Sequence, residues 1–357
     1  MQARVSEPIR VLVVDDSAFI RFTLTRRLNQ EPDIEVVGAA ADGQEALKQI
    51  EALDPDVVTL DIEMPNMNGL QALRHIMAEM PRPVIMLSTL TQAGARETLQ
   101  ALALGATDFI PKPTNAIHVQ HVLDDLKTKV RSYARLPMAR MRADIRPTHN
   151  RRQTERAAVR PFTEHDVLVA IGSSTGGPRA LEQVLSRLPA HLPAAFVIVQ
   201  HMPPIFTASL AERLNRVGPL HVKEAGRSDR LSVGMALLAR GGLHLCLQQD
   251  GSIRLSDAPP RNHVRPAVDV TFEHAARWFG PASVAVILTG MGSDGTVGAR
   301  RIKARGGMVL AEAEESCVVY GMPKSAIEAG IVDRIASIDQ MPVAVSEAVD
   351  HVAQTLR

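Results

Sequence analysis

Little in this sequence points outside the cell or into a membrane. Only two of 357 residues are cysteine, Cys246 and Cys317, and they sit in apolar contexts ("LHLCLQQ", "ESCVVYG") without CxxC or zinc spacing. That argues against a disulfide framework or a thiolate metal site and predicts buried thiols. No apolar run approaches the roughly 18 residues a membrane helix needs. The start, "MQARVSEPIRVLVVDDSAF", has no apolar stretch of signal-peptide length before its first acidic cluster. The expectation is a cytoplasmic protein with no direct membrane insertion. The formal charge of +1 argues against nucleic-acid binding through a large net basic field. There is no internal repeat strong enough to use, and no Gly-Lys-Ser/Thr of the Walker type. At 357 residues the chain is longer than one core usually supports, so two domains are expected.

The first, residues 1–131, alternates "IRVLVVDD", "IEVVGAA", "DVVTLDI", "PVIMLSTL" and "DFIPKP" with five helical patterns from "AFIRFTLTRRLNQ" to "NAIHVQHVLDDLKTKV". Strands apolar throughout and separated by helices imply a parallel sheet covered on both faces, a five-stranded doubly wound α/β domain of the flavodoxin-like kind. Residues 132–163 are Arg-rich, interrupted by Pro and without regular apolar spacing, and read as a linker, a solvated spacer or an Arg patch for an acidic partner. Residues 164–357 resume the alternation with "DVLVAIGSS", "AAFVIVQH", "SVAVILTGMGSDG" and "GGMVLAEA", and close on a helical pattern, "VAVSEAVDHVAQTL". In "LHLCLQQDGSIRLSD" the Asp250-Gly251 pair signals a two-residue hairpin turn. The second domain is therefore also α/β, doubly wound and mostly parallel, with a β-hairpin.

In open α/β sheets the functional crevice lies outside the carboxyl ends of the strands. Asp15 and Asp16 end the first strand pattern of the first domain and Asp61 the third, so three carboxylates meet at one edge. Such carboxylates repel and raise each other's pKa, and a hard divalent cation such as Mg²⁺ satisfies them. Ser88, ending "VIMLS", adds a hydroxyl, and Lys112, in "DFIPKP", a fixed positive charge, as phosphate chemistry requires. Any one of these aspartates alone reads as a helix cap; four strand ends with compatible chemistry read as a site.

This constellation resembles the receiver domain of two-component response regulators over residues 8–131. The resemblance implies that Asp61 accepts a phosphoryl group from a phosphohistidine sensor kinase. It also implies that Asp15, Asp16, Asp61 and the backbone at Glu63 hold Mg²⁺, and that Ser88 and Lys112 contact the phosphoryl oxygens. Phe109 stands at the family's aromatic switch position, and Lys112-Pro113 matches its Lys-Pro pair. A receiver regulates, so the output lies beyond about residue 164.

The first candidate for that output is "IGSSTGGP", in which Gly172 to Gly176 fit G-x-S-x-G between a strand and a helix pattern. The loop alone reads equally as an anion-binding turn. A serine nucleophile needs a base, and the next apolar run ends at His201; a third strand leads into "MGSDG", presenting Asp294. Nucleophile, base and orienting carboxylate at three strand ends satisfy the logic of a catalytic triad, with Ser174 as the exposed tip and Ser173 as its neighbour. The order Ser, His, Asp departs from the α/β-hydrolase order. His263, which follows Asn262 instead of ending a strand, is the second candidate base and is placed on the substrate side.

Here "IGSSTGGP", "QHMPP", "LTGMGSDG", "HVRPAVDVTF" and "GMP" at residues 321–323 resemble the catalytic domain of the chemotaxis methylesterases, which carry a receiver in front. The resemblance implies Ser174 as nucleophile, His201 as general base and Asp294 as orienter, with Thr175 and Met291 adjacent. By mechanism the Thr175 N–H serves the oxyanion hole. Ser173 and Ala267 stand where the family more often has Ala and Ser. The implied reaction is hydrolysis of glutamyl methyl esters on chemoreceptor cytoplasmic helices, with glutamine deamidation as a related acyl transfer and no cofactor at the hydrolase site. Two other readings are a transcriptional response regulator, which predicts a helix-turn-helix tail, and a non-catalytic receptor-binding scaffold.

Overall fold

A computed structural model of the chain describes residues 7–112, 116–134 and 156–357. It divides into two compact units, Met1–Thr148 and His149–Arg357.

In the first unit the strands β1 (Ile9–Val14), β2 (Ile34–Ala40), β3 (Val57–Asp61), β4 (Val84–Ser88) and β5 (Asp108–Pro111) form one sheet in the order 2-1-3-4-5. Every neighbouring pair is parallel, which requires crossover helices. These are α1 (Ala18–Leu28), α2 (Gly43–Leu53), α3 (Gly69–Glu79), α4 (Gln92–Ala103) and α5 (Ala116–Tyr133). Side chains cap four of them: Ser17, Asp42, Asn68 and Thr91 each accept an amide hydrogen bond from the first turn, and Asn68 completes a capping box with Gln71. A β-carbon at Gly69 would lie 1.9 Å from the Asp61 carbonyl oxygen, so only glycine lets α3 start against the end of β3.

The second unit is built on seven parallel strands. They are β7 (Val167–Ser173), β8 (Ala194–Gln200), β9 (His221–Glu224), β11 (Met235–Leu238), β14 (Ser283–Ile287), β15 (Met308–Glu312) and β16 (Arg334–Ala336). Their order is 16-15-14-7-8-11-9. The direction of winding reverses between β7 and β14, the topological switch point at which such folds place their chemistry. Two short strands, β6 (Arg160–Pro161) and β10 (Ser232–Val233), pair antiparallel beside it. A hairpin of β12 (His244–Leu247) and β13 (Ile253–Ser256) completes the set. The helices are α6 (Gly177–Leu185), α7 (Pro204–Val217), α8 (Val268–Trp278), α9 (Thr296–Ala304), α10 (Met322–Glu328) and α11 (Met341–Thr355). The core between sheet and helices is aliphatic, with Leu168, Val197, Ile287 and Val309 from strands meeting Val268, Phe272 and Ile302 from helices. Gly172 admits α8 here: a β-carbon would sit 2.4 Å from Val268 Cγ1.

Three details differ from the sequence reading. Of the segment 132–163 read as linker, residues 135–155 lie outside the described residues, but the flanks are built into the fold. Ser132 and Tyr133 finish α5, Ala157 is buried with its amide on the Pro219 carbonyl, and Arg160 pairs with Asp166. Aliphatic burial and that ion pair outweigh the Arg- and Pro-rich composition. The hairpin forms, but its turn has five residues, Gln248 to Ser252. Gly251 (φ 78°) donates to the Gln248 carbonyl, so Asp250-Gly251 is not the two-residue turn. Strands β9, β11 and β16 escaped the reading because each is only three or four residues long. Cys246 and Cys317 are buried thiols outside any disulfide among the described residues, as expected. Pro113 lies outside the described residues, and with it the Lys112-Pro113 pairing. No helix among the described residues is long and apolar enough to cross a membrane.

Candidate active site and phosphoryl-acceptor site

In the first unit the acidic edge assembles as the strand ends require. Carboxylate oxygens of Asp15, Asp16 and Asp61 lie within 4.8 Å of one another. Lys112 Nζ is 2.7 Å from Asp61 Oδ2 and 3.1 Å from Asp15 Oδ2, two buried oxygens that accept no other hydrogen bond among the described residues. Burial, against the pull of Lys112 and with the push of Asp15, raises the Asp61 carboxyl to about 6. Burial also raises Asp15, partly offset by Lys112. On Lys112 burial acts downward, but Asp61 and Asp15 outweigh it and hold the ammonium above its usual value. The net charge of three carboxylates against one ammonium, with oxygen donors converging from β1 and β3, fits a hard divalent cation. Asp15, Asp16 and Asp61 would hold it; Glu63 follows β3 and its side chain is exposed.

Ser88 and Phe109 adjoin this edge in other company. The buried Ser88 hydroxyl accepts from Thr98 Oγ1 at 2.6 Å and lies 3.3 Å from the Gly94 carbonyl oxygen, both partners on α4. Phe109 is buried, with Lys129 Nζ on its carbonyl (2.8 Å) and 5.7 Å from its ring centre. Asp108, beside it, accepts from Tyr133 Oη at 2.6 Å, so the end of α5 is tied to the strand carrying Phe109.

In the second unit β7 and β8 run parallel with Ser173 opposite Gln200, and β14 lies on the other side of β7 with Ile287 opposite Gly172. Ser174, His201 and the loop to Asp294 therefore leave three adjacent strands at the same edge. Ser173 and Ser174 differ sharply. Ser173 is fully buried and donates to Gln200 Oε1 at 2.7 Å, while Gln200 Nε2 donates to the carbonyls of Ser174 (2.8 Å) and His201 (3.1 Å). Ser174 is half-buried, with its amide on the Thr289 carbonyl at 3.0 Å and its hydroxyl free of hydrogen bonds among the described residues. Gln200 and Gly177 were missed in the sequence; a β-carbon at Gly177 would stand 2.0 Å from Gln200 Oε1.

His201 Nε2 is 2.8 Å from Asp294 Oδ2. That carboxylate is buried and accepts four further hydrogen bonds. Val268 N (2.6 Å) reaches Oδ2; Asp269 N (3.0 Å), Gly295 N (3.1 Å) and Asn262 Nδ2 (3.1 Å) reach Oδ1. Burial works against its ionisation, but His201 and the amides of Asp269 and Val268 outweigh it and hold the acid below its usual value. With Nε2 committed to Asp294, Nδ1 is the ring nitrogen without a hydrogen bond among the described residues. The Thr175 amide donates to no described residue, and Thr175 is buried beside Ser174. Gly290 brings the following Met291 close, since a β-carbon there would meet Ser174 Cβ at 2.8 Å. His263, the second candidate base, is exposed in a turn with φ 63° and has no hydrogen bond to Asp294. Asn262 and Asp269 had no assigned role in the sequence, because spacing does not show that they converge on Asp294.

Comparison with known proteins matches residues 11–124 to the response regulator receiver domain and residues 169–345 to the CheB methylesterase domain. A protein-glutamate methylesterase/protein-glutamine glutaminase of Symbiobacterium thermophilum is 46% identical over 98% of this chain and 99% of its own. One of the same description from Thermotoga maritima is 45% identical over 96% and 98%. The solved CheB methylesterase catalytic domain of Thermotoga maritima superposes with a TM-score of 0.50 at 46% identity, covering 52% of this chain and 98% of that one.

Proposed function

From the premise that the chain belongs to the protein-glutamate methylesterase/protein-glutamine glutaminase family, with a receiver ahead of a CheB methylesterase domain, we propose a mechanism built on Ser174, His201 and Asp294. The enzyme is a carboxylic ester hydrolase and response regulator of chemotaxis. Its substrates are glutamyl methyl esters on the cytoplasmic helices of chemoreceptors, and it acts in the cytoplasm.

Ser174 Oγ attacks the ester carbonyl while His201 Nδ1 takes its proton. The imidazolium that forms is stabilised by Asp294, held below its usual pKa and 2.8 Å away. The Thr175 N–H receives the developing oxyanion, with a second donor near Met291. His201 returns the proton to the departing methoxide, methanol leaves, and water then hydrolyses the acyl-serine by the same base. A glutamine side chain follows the same path with ammonia as leaving group, which gives the glutaminase activity its route. The carrying observation is the edge shared by Ser174, His201 and Asp294 at the switch point of the sheet.

Control comes from the receiver. The Asp61 carboxylate takes the phosphoryl group of a phosphohistidine sensor kinase, and Lys112 neutralises its oxygens. Asp15, Asp16 and Asp61 would hold Mg²⁺, which would further neutralise the phosphoryl charge. Recruiting the Ser88 hydroxyl to the phosphoryl group takes it off Thr98 and Gly94, which disturbs α4 and raises hydrolase activity. A DNA-binding output is not favoured, since a seven-stranded parallel sheet occupies the second unit.

Methanol release from methylated receptor membranes tests this reading. Wild-type protein releases methanol, faster with a small-molecule phosphodonor when Asp61 is intact, and Ser174→Ala releases none. Undiminished release by Ser174→Ala would overturn Ser174 as the nucleophile.

A further inference from the structure

We infer that Asn262 and Asp269 are positioning residues for the triad, locking the Asp294 carboxylate toward His201 through a reciprocal exchange of helix caps. The inference rests on Asp294 being the orienter of His201.

Helices α8 and α9 both begin without a cap of their own, because their N-cap residues, Ala267 and Gly295, offer no side-chain acceptor. Each is capped instead by a carboxylate belonging to the other. Asp294, immediately before Gly295, accepts from Val268 N and Asp269 N at the start of α8. Asp269, in the first turn of α8, accepts through Oδ1 from Gly295 N (3.0 Å) and Gly298 N (2.8 Å) at the start of α9. A carboxylate at a helix N-terminus is stabilised by the unsatisfied amides and by the helix dipole. Here the same interaction orients it. With Oδ1 of Asp294 filled by Asp269 N, Asn262 Nδ2 and Gly295 N, Oδ2 is the oxygen directed to His201.

Asn262 closes the exchange. Its Nδ2 lies 3.1 Å from Asp269 Oδ2 and 3.1 Å from Asp294 Oδ1, giving the two buried carboxylates one shared donor. The turn that holds it is a strained one. Asn262 and His263 have φ of 52° and 63°, between Arg261 and Val264, which exchange two backbone hydrogen bonds at 3.0 and 3.1 Å. Two consecutive left-handed residues, neither of them glycine, cost free energy that the surrounding structure must offset, and such positions gather at functional sites. Every polar contact of the Asp269 carboxylate is with an N–H donor, and these donors favour its anion against the burial that raises its pKa. Arg261 on the turn lies 2.6 Å from Glu273 on α8 and its charge also acts on Asp269 and Asp294; Arg301 on α9 lies 3.3 Å from the same Glu273 carboxylate.

The test is the pH dependence of kcat/KM for methanol release by full-length protein carrying Asn262→Gly, Asp269→Asn or Ser174→Ala, with melting temperatures alongside. Glycine accepts the left-handed backbone, so Asn262→Gly removes only the amide. Asp294 then has one donor fewer, its charge faces His201 less attenuated, and the acidic limb moves to higher pH. Asp269→Asn removes a negative charge from the cluster around Asp294, and the limb moves to lower pH. Each displacement is expected at about half a unit, with kcat about tenfold lower, near the effect of one hydrogen bond to a charged group, and KM little changed. A role confined to stability lowers the melting temperature and moves neither limb. Limbs that stay at the wild-type position, or move in the same direction, overturn the inference while Ser174→Ala is inactive. An active Ser174→Ala instead overturns the reading on which it rests. If Asp269→Asn does not fold, the direction of the Asn262→Gly displacement decides.

Discussion

Replacing Asp61 by Asn should stabilise the receiver, although Asp61 is the residue on which its regulation turns. The Asp61 carboxyl is raised from 3.8 to about 6, burial outweighing Lys112. A carboxyl whose folded pKa lies above its unfolded one favours folding when protonated and opposes it when ionised. Stability is therefore greatest below the unfolded value and declines as pH rises through the folded one. Each pKa unit corresponds to 1.36 kcal/mol, so ionised Asp61 costs the fold about 3 kcal/mol above pH 6. Asn escapes that cost. In full-length protein with the metal chelated, Asp61→Asn should raise the melting temperature of the receiver transition at pH 7.5 by on the order of 10 °C. The gain should fade as pH is lowered from 6 toward 4. Saturating Mg²⁺ should shrink it, because the metal stabilises the wild-type carboxylates and loses a ligand in the variant. Equal melting temperatures at pH 7.5 without metal, or a gain independent of pH, would refute the assignment of that cost to buried charge.

Other consequences follow from the same contacts. Lys112→Met removes the charge that holds Asp61 down. The acidic limb of phosphoryl incorporation from a small-molecule phosphodonor should move to higher pH than in wild type. Asp294→Asn turns an amide nitrogen either toward Val268 N–H and His201 or toward the three N–H donors on Oδ1. Methanol release should lose about 10³- to 10⁴-fold in kcat, with a lowered melting temperature. Gly177→Ala places a β-carbon 2.0 Å from Gln200 Oε1, so Gln200 must release the carbonyls of Ser174 and His201. A loss of about 1–3 kcal/mol in denaturant unfolding and a reduced kcat are expected; a wild-type kcat would show that Gln200 does not hold the nucleophile loop.

The parallel cores were legible because a strand buried on both faces leaves an uninterrupted apolar run, as in "VLVAI" and "AFVIV". So were the residues at their ends, because a parallel sheet gathers the ends of its strands at one edge. What escaped notice depends on contacts between segments far apart in sequence. Asn262, Asp269 and Asp294 meet through the starts of two helices, and nothing in "RNHVRPAVDV" announces that its Asp caps a helix beginning at Thr296. Gln200 looked like the polar end of a strand, yet its side chain ties Ser173 to the loop carrying the nucleophile. Arg160 belongs to a composition typical of a spacer, and its pairing with the buried Asp166, with the burial of Ala157, shows that the second unit reaches back that far.

The choice between two adjacent serines tests the account most directly. Methanol release from methylated receptor membranes should be abolished in Ser174→Ala and preserved in Ser173→Ala. The latter instead loses about 1–3 kcal/mol of stability, because the buried Gln200 Oε1 is left without its donor. An inactive Ser173→Ala beside an active Ser174→Ala would contradict the account, since it would place the nucleophile on the buried side chain of β7.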